Sequence, residues 1–180
     1  MWRNTASRYG LISIGLHWLV AMVVIGLFGL GLWMDSLDYY DAWYRKAPEI
    51  HKSIGVLLFM VMLGRTVWRH LSPGPAPSGA AFQQKMAHAV HLTLYVLLFI
   101  LMLSGYLVST ADGRALEVFG WFSIPATLSG LENQEDIAGE VHEVLAFTLM
   151  GLVIVHALAA MKHHFINRDS TLKRMLGTGN

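Results

Sequence analysis

The 180-residue sequence contains no cysteine. That absence excludes disulfides, thiolate-bound iron–sulfur clusters, cysteine-based zinc sites and covalent haem attachment through Cys-x-x-Cys-His. Charge is scarce too: 14% of residues are Asp, Glu, Lys or Arg, against ~25% in an average soluble domain. Of five prolines, three fall in the single stretch SPGPAPSG, 72–79. Net charge is only +1, and no nucleic-acid partner is expected from it. What the chain has instead is apolar surface, at 54% of residues, with nine histidines and six tryptophans. This is the composition of a membrane protein.

A membrane-spanning helix needs about 20 predominantly apolar residues. The run 11–34 meets that, interrupted only by Ser13 and His17, and 87–111 is 25 residues without a charge. The run 144–161 is 18 residues long, with Glu143 and Lys162 at its ends. The stretch 51–68 is weaker, because only 53–64 is free of charge; lysine and arginine at helix ends can snorkel to the interface. The run 11–34 is too long for a signal-peptide core and no small-residue cleavage site follows it, so a retained helix is expected. These runs predict four helices, roughly 10–34, 50–69, 86–111 and 140–164, in one domain covering 1–180. The fold class expected is all-α, an integral membrane four-helix bundle. SPGPAPSG is a break that no helix would survive, and the aromatic connector 111–136 is expected at a membrane surface.

Lys/Arg asymmetry predicts orientation. The N-terminal segment, the 65–85 connector and the tail hold nine of the thirteen basic residues, whereas 35–52 and 112–143 hold four. The same two connectors carry eleven of the twelve acids, all but Asp169. Both termini are therefore expected on the cytoplasmic side of a bacterial inner membrane.

Orientation gives each histidine a depth. His17 and His156 each lie six residues inside a cytoplasmic helix end, or ~9 Å at 1.5 Å per residue. His51 and His142 sit at the outer ends of the second and fourth helices. His142 and His156 are fourteen residues apart, close to four turns and ~21 Å, so they face nearly the same way. Each layer thus draws one histidine from the fourth helix and one from another: His156 with His17, and His142 with His51. Paired neutral imidazoles on opposing helices suit the two axial positions of haem iron. Small residues such as Gly55, Ala159 and Ala160 would leave room for a flat macrocycle. Arg65, fourteen residues after His51, falls on the same helix face at the inner layer, where a haem propionate would be its partner. His91 lies as deep as His17 and His156, so depth leaves it open as an inner ligand. His88 and His91, spaced i, i+3, could also suit a metal.

The segments ISIGLHWLVA, EIHKSIGVLLFMVMLGRTVWR, HAVHLTLYVLLF, GEVHEVLAF and HALAAMKHHFINRDSTLKRM, with LVSTADG and VFGWFSIPA between them, resemble the bacterial cytochrome b561 family over nearly the whole chain. The resemblance implies a four-helix membrane bundle with two non-covalent haem b groups, exchanging electrons with quinone, ubiquinone being the expected partner. It maps the iron ligands to His17, His51, His142 and His156 rather than His91. It places a cytoplasmic-side quinone region near His91 and His163, with Lys85 and Arg69 able to stabilise developing negative charge. An outer-face, periplasmic redox partner is expected at the other end. One branch of the family oxidises superoxide and passes the electrons to ubiquinone, which is a second expectation. Superoxide is an anion best steered by a positive surface, and the outer connectors here are acidic. The remaining readings are a haem-bearing anchor subunit of a larger redox enzyme and a haem-free transporter or metal-handling protein.

Overall fold

In a computed structural model the described residues are 1–76 and 79–178. Four long helices dominate: α1 (Leu11–Asp35), α2 (Lys46–Leu71), α3 (Ala81–Ser109) and α4 (Gln134–Phe165). A short α5 (Thr171–Met175) closes the described chain. All four long helices have the length and apolarity to cross a membrane, and the fold is an all-α four-helix bundle. The predicted break over 72–79 falls between α2 and α3, its residues 77 and 78 lying outside the described residues.

The helices overrun the predicted spans where polar sequence flanks the apolar run. Apolar length marks the hydrocarbon-spanning part of a helix, whereas its backbone hydrogen bonds continue into the interface. α2 begins at Lys46, with Pro48 in its first turn; a proline there loses no intrahelical bond, because the first N–H groups have none. α4 begins at Gln134, with Glu135 and Asp136 placed against the positive end of the helix dipole.

Large apolar side chains cover the outside, among them Met22 and Ile25 on α1, and Val144, Ile154 and Leu158 on α4. In water such a surface would be a liability; in lipid it is the solvated face. Two compact units make up the fold. Met1–Ala21, Val61–Tyr95 and Gly151–Asn180 form the first; Met22–Met60 and Val96–Met150 form the second.

Within the first unit, polar anchors join the elements. Trp68 Nε1 donates to Ser13 Oγ at 2.9 Å, joining α2 to α1. Trp18 Nε1 donates to the Met175 carbonyl at 3.0 Å, tying α5 to α1. The Asn4 amide donates to the Ser72 carbonyl at 2.6 Å and fixes the N-terminal segment at the end of α2.

Within the second unit, edge-to-face aromatic pairs hold the helices: Phe28 with Phe147 at 5.4 Å between ring centres, and Phe59 with Phe99 at 5.6 Å. The connector between α3 and α4 contains a β-hairpin, β1 (Leu116–Val118) against β2 (Phe122–Ile124), paired antiparallel. Leu116 and Val118 are buried, and the tip carries exposed Phe119 and Trp121. Ser53 of α2 pins the turn: its hydroxyl accepts from the Phe119 N–H at 3.2 Å and donates to the Glu117 carbonyl at 3.4 Å. The sequence reading expected surface aromatics here and no strands; three-residue strands are too short to show alternation.

Candidate functional site: two histidine pairs

In the second unit, α2 supplies His51 and α4 supplies His142, with ring centres 6.2 Å apart and planes at 70°. α3 holds the His142 ring. Its Nδ1 lies 3.0 Å from the Leu101 carbonyl oxygen and 3.1 Å from Ser104 Oγ. A carbonyl only accepts, so Nδ1 carries the proton and Nε2 keeps its lone pair. Ser104, itself buried, donates to the same carbonyl at 2.8 Å. The ring fits because the next residue is Gly105: a Cβ there would lie 3.0 Å from His142 Cε1 and 3.2 Å from Nδ1. His51 Nδ1 is buried without a hydrogen-bond partner.

In the first unit, α1 supplies His17 and α4 supplies His156, with ring centres 6.3 Å apart and planes at 68°. His91 of α3 lies nearer to His156, at 5.2 Å. Arg65 Nη2 sits 3.2 Å from His17 Nδ1. Arg65 and Arg69, one turn apart on α2, both lie 5.4 Å from the centre of the Tyr95 ring. Among the described residues neither guanidinium has a carboxylate partner; the ion pairs there are Arg114–Asp112 and His163–Asp169. Two guanidiniums side by side without a carboxylate are suited to an anionic partner.

A metal ion held between two imidazoles would fix the separation of their rings. With metal–nitrogen bonds of about 2.0–2.1 Å and a ring centre ~1.1 Å behind each nitrogen, the ring centres fall ~6.3 Å apart. The His51–His142 and His17–His156 separations of 6.2 and 6.3 Å fit, and the His91–His156 separation of 5.2 Å is too short. The number of donors fits as well. No three His, Asp or Glu side chains gather as a metal-binding group among the described residues, and two imidazoles are the axial set of haem, not the three or four ligands of zinc. One contact does not fit. Arg65 can only donate to His17 Nδ1, which puts the His17 proton on Nε2. Were His17 to hold iron through Nε2, its proton would sit on Nδ1 and Arg65 would need another acceptor.

The other expected residues are distributed as follows. Lys85, near the start of α3, is exposed and has no hydrogen bond or ion pair among the described residues. His163, near the end of α4, contacts Asp169. Leu101, Ser104, Gly105, Tyr95 and Asp169 went unremarked as site residues in the sequence. Ser-Gly inside the apolar run of α3 was a usable sign of a close approach, and Asp169 stood out as the one acid apart from the two acidic connectors.

Residues 8–178 match the family model described as prokaryotic cytochrome b561. The chain is similar to cytochrome b561 homolog 2 of Escherichia coli K12, 54% identical over 176 residues, covering 97% of this chain and 94% of that protein. It is also similar, at 26% identity, to cytochrome b561 homolog 1 of the same strain, covering 94% of this chain and 97% of that one. A probable superoxide oxidase CybB of Yersinia pestis is 27% identical, with 94% of this chain and 96% of that protein covered.

Proposed function

The chain belongs to the prokaryotic cytochrome b561 family, a haem-b electron-transfer protein of the bacterial inner membrane, and we propose that it carries two haem b groups in one cytochrome domain. Haem bound in this way accepts and passes single electrons. His51 and His142 would hold one group, His17 and His156 the other. The observation that carries this reading is the pair of ring-centre separations, 6.2 and 6.3 Å, each the span of two imidazoles on one iron. Leu101 and Ser104 keep His142 in the tautomer that binds metal, which is the usual task of an outer partner to a metal-bound histidine. Arg65, with Arg69 beside it, would then hold a haem propionate.

In the same reading both termini are cytoplasmic, and electrons pass between an outer-face redox partner and the quinone pool. The quinone region is formed by His91, His163, Lys85 and Arg69 at the inner end, where imidazoles offer nitrogens that can accept or donate a hydrogen bond to a quinone oxygen. A second reading, oxidation of superoxide with ubiquinone as acceptor, is favoured by the similarity to the probable superoxide oxidase.

The ligand assignment is tested by haem content and reduced spectra of single variants. His51→Ala or His142→Ala should remove one haem and keep the other; His17→Ala or His156→Ala should remove the opposite one; His91→Ala should keep both. Two haems in His156→Ala would overturn the assignment.

A further inference from the structure

The tail beyond α4 is built to return one carboxylate to one imidazole. Ile166 N–H and Asn167 N–H both donate to the Lys162 carbonyl, at 2.9 and 3.1 Å, and the Asp169 N–H donates to the His163 carbonyl at 3.1 Å. Arg168 takes a left-handed conformation, φ 55°, to make that reversal. Asp169 Oδ1 accepts from the Thr171 N–H at 2.9 Å, which fixes the carboxylate, and Oδ2 meets His163 Nδ1. The whole hook is anchored: α5 is tied to α1 through Trp18 and Met175, and Arg174 donates to the Ala76 carbonyl at 3.0 Å.

From this geometry we infer that Asp169 and His163 form a proton-relaying pair at the inner end of the fold, with Asp169 as the positioning residue. The inference rests on the quinone reading above. A carboxylate can only accept, so it fixes the His163 proton on Nδ1 and leaves Nε2 as the basic nitrogen. The Asn167 amide, 3.3 Å from the same Nδ1, cannot donate to a nitrogen that already carries a proton.

A quinol becoming a quinone gives up two electrons and two protons. The electrons would leave one at a time to the haem groups that the proposed function assigns to the histidine pairs. The protons leave the quinol hydroxyls for a base. At each transfer an O–H bond breaks and an Nε2–H bond forms, making His163 an imidazolium. Asp169 holds the opposite charge against its Nδ1–H and stabilises that state. The Nε2 proton then passes to water, and the neutral imidazole is restored for the second transfer. Quinone reduction runs the same steps in reverse. The pair is partly shielded yet reachable by water: the His163 side chain is 23% exposed and that of Asp169 24%.

The test uses the full-length, haem-loaded protein and a soluble ubiquinol analogue. Imidazole nitrogen NMR of the reduced protein should show His163 as the Nδ1–H tautomer. Asp169→Asn should abolish that preference and slow quinol-driven haem reduction by about 100-fold, the lower end of a general-base contribution. Asp169→Glu should restore both in part. Haem content and spectra, unchanged across the three proteins, exclude a loss of fold as the cause. If Asp169→Asn keeps both the tautomer and the wild-type rate while His163→Gln is slow, the pair is overturned and the quinone reading stands. If His163→Gln and His91→Ala both keep two haems and wild-type kinetics, the quinone reading fails and the pair fails with it.

Discussion

His142 Nδ1 lies 3.0 Å from the carbonyl oxygen of Leu101, so an imidazole from α4 is hydrogen-bonded to the backbone of α3. That approach depends on the bare Cα of Gly105, where a Cβ would stand 3.0 Å from the ring. Gly105→Val should push the ring out of its slot, at a cost of about 1–3 kcal/mol typical of overpacking. The haem held by His51 and His142 should be lost or weakened, and the other kept. Haem per protein would fall from two toward one, with Gly105→Ala intermediate. Two haems with an unchanged spectrum in Gly105→Val would show that the ring does not depend on this gap.

Ser53 makes both hydrogen bonds that join the hairpin turn to α2. Ser53→Ala removes them together and leaves the Phe119 N–H without its partner. At about 0.5–1.5 kcal/mol for each bond, the hairpin should lose ~1–3 kcal/mol of local stability. Faster amide exchange confined to 116–124, with the long helices unchanged, is the expected result. Equal exchange in both proteins would mean that packing of Leu116 and Val118 alone holds the hairpin.

The helices and the grouping of four histidines into two pairs were legible because both follow from spacing. Apolar runs of membrane length mark α1, α3 and α4, and fourteen residues bring His142 and His156 to one face. Family resemblance, rather than spacing, set His91 apart from the expected ligands; in the structure His91 lies 5.2 Å from His156, nearer than His17 at 6.3 Å. The slot at Gly105 was not legible, since it depends on how closely α3 and α4 approach. Nor was the pair of guanidiniums at Tyr95, because it needs α2 and α3 in register. Helix ends outside the hydrocarbon region were missed for a third reason: hydropathy is silent about helix in the interface.

Acid should loosen the tail. Burial alone would raise the Asp169 carboxyl, but bonds from Thr171 and His163 outweigh it and hold the group below its ordinary 3.8. A depressed carboxyl stabilises the fold fully above its unfolded value, and that stability is lost as pH falls through the folded value. Residues 166–175 should therefore be protected near neutral pH and exchange faster below about pH 4, where free aspartate also titrates. Asp169→Ala should lack that acid step and be less protected at neutral pH. An acid step that persists in Asp169→Ala would assign it to another group.

Topology can be read with fusions. Nine basic residues lie in the N-terminal segment, the 65–85 connector and the tail, against four in the other connectors, and this asymmetry predicts both ends on the cytoplasmic side. A reporter active only in the cytoplasm, joined after Asn180, should be active, and a periplasm-only reporter should be silent. The opposite pattern would exchange the two faces and move the His51–His142 pair to the inner one.

Superoxide offers a final test, because its charge makes the second reading measurable by salt alone. The connectors 35–52 and 112–143 carry eleven carboxylates against four basic groups. If superoxide reduces the haem from that side, it must approach against a negative field. Field effects of this kind are screened beyond ~10 Å at 0.1 M ionic strength. The bimolecular rate should therefore rise with added salt, opposite to an enzyme that steers its anion inward. Asp38→Asn and Asp41→Asn, which remove charge from the α1–α2 connector, should raise the rate at low salt and flatten its salt dependence. A rate that falls with salt would reveal a local positive funnel, with Arg45, Lys46, Lys52 and Arg114 as its candidates. No superoxide-driven reduction at any ionic strength would leave quinone and a periplasmic redox partner as the two ends of the electron path.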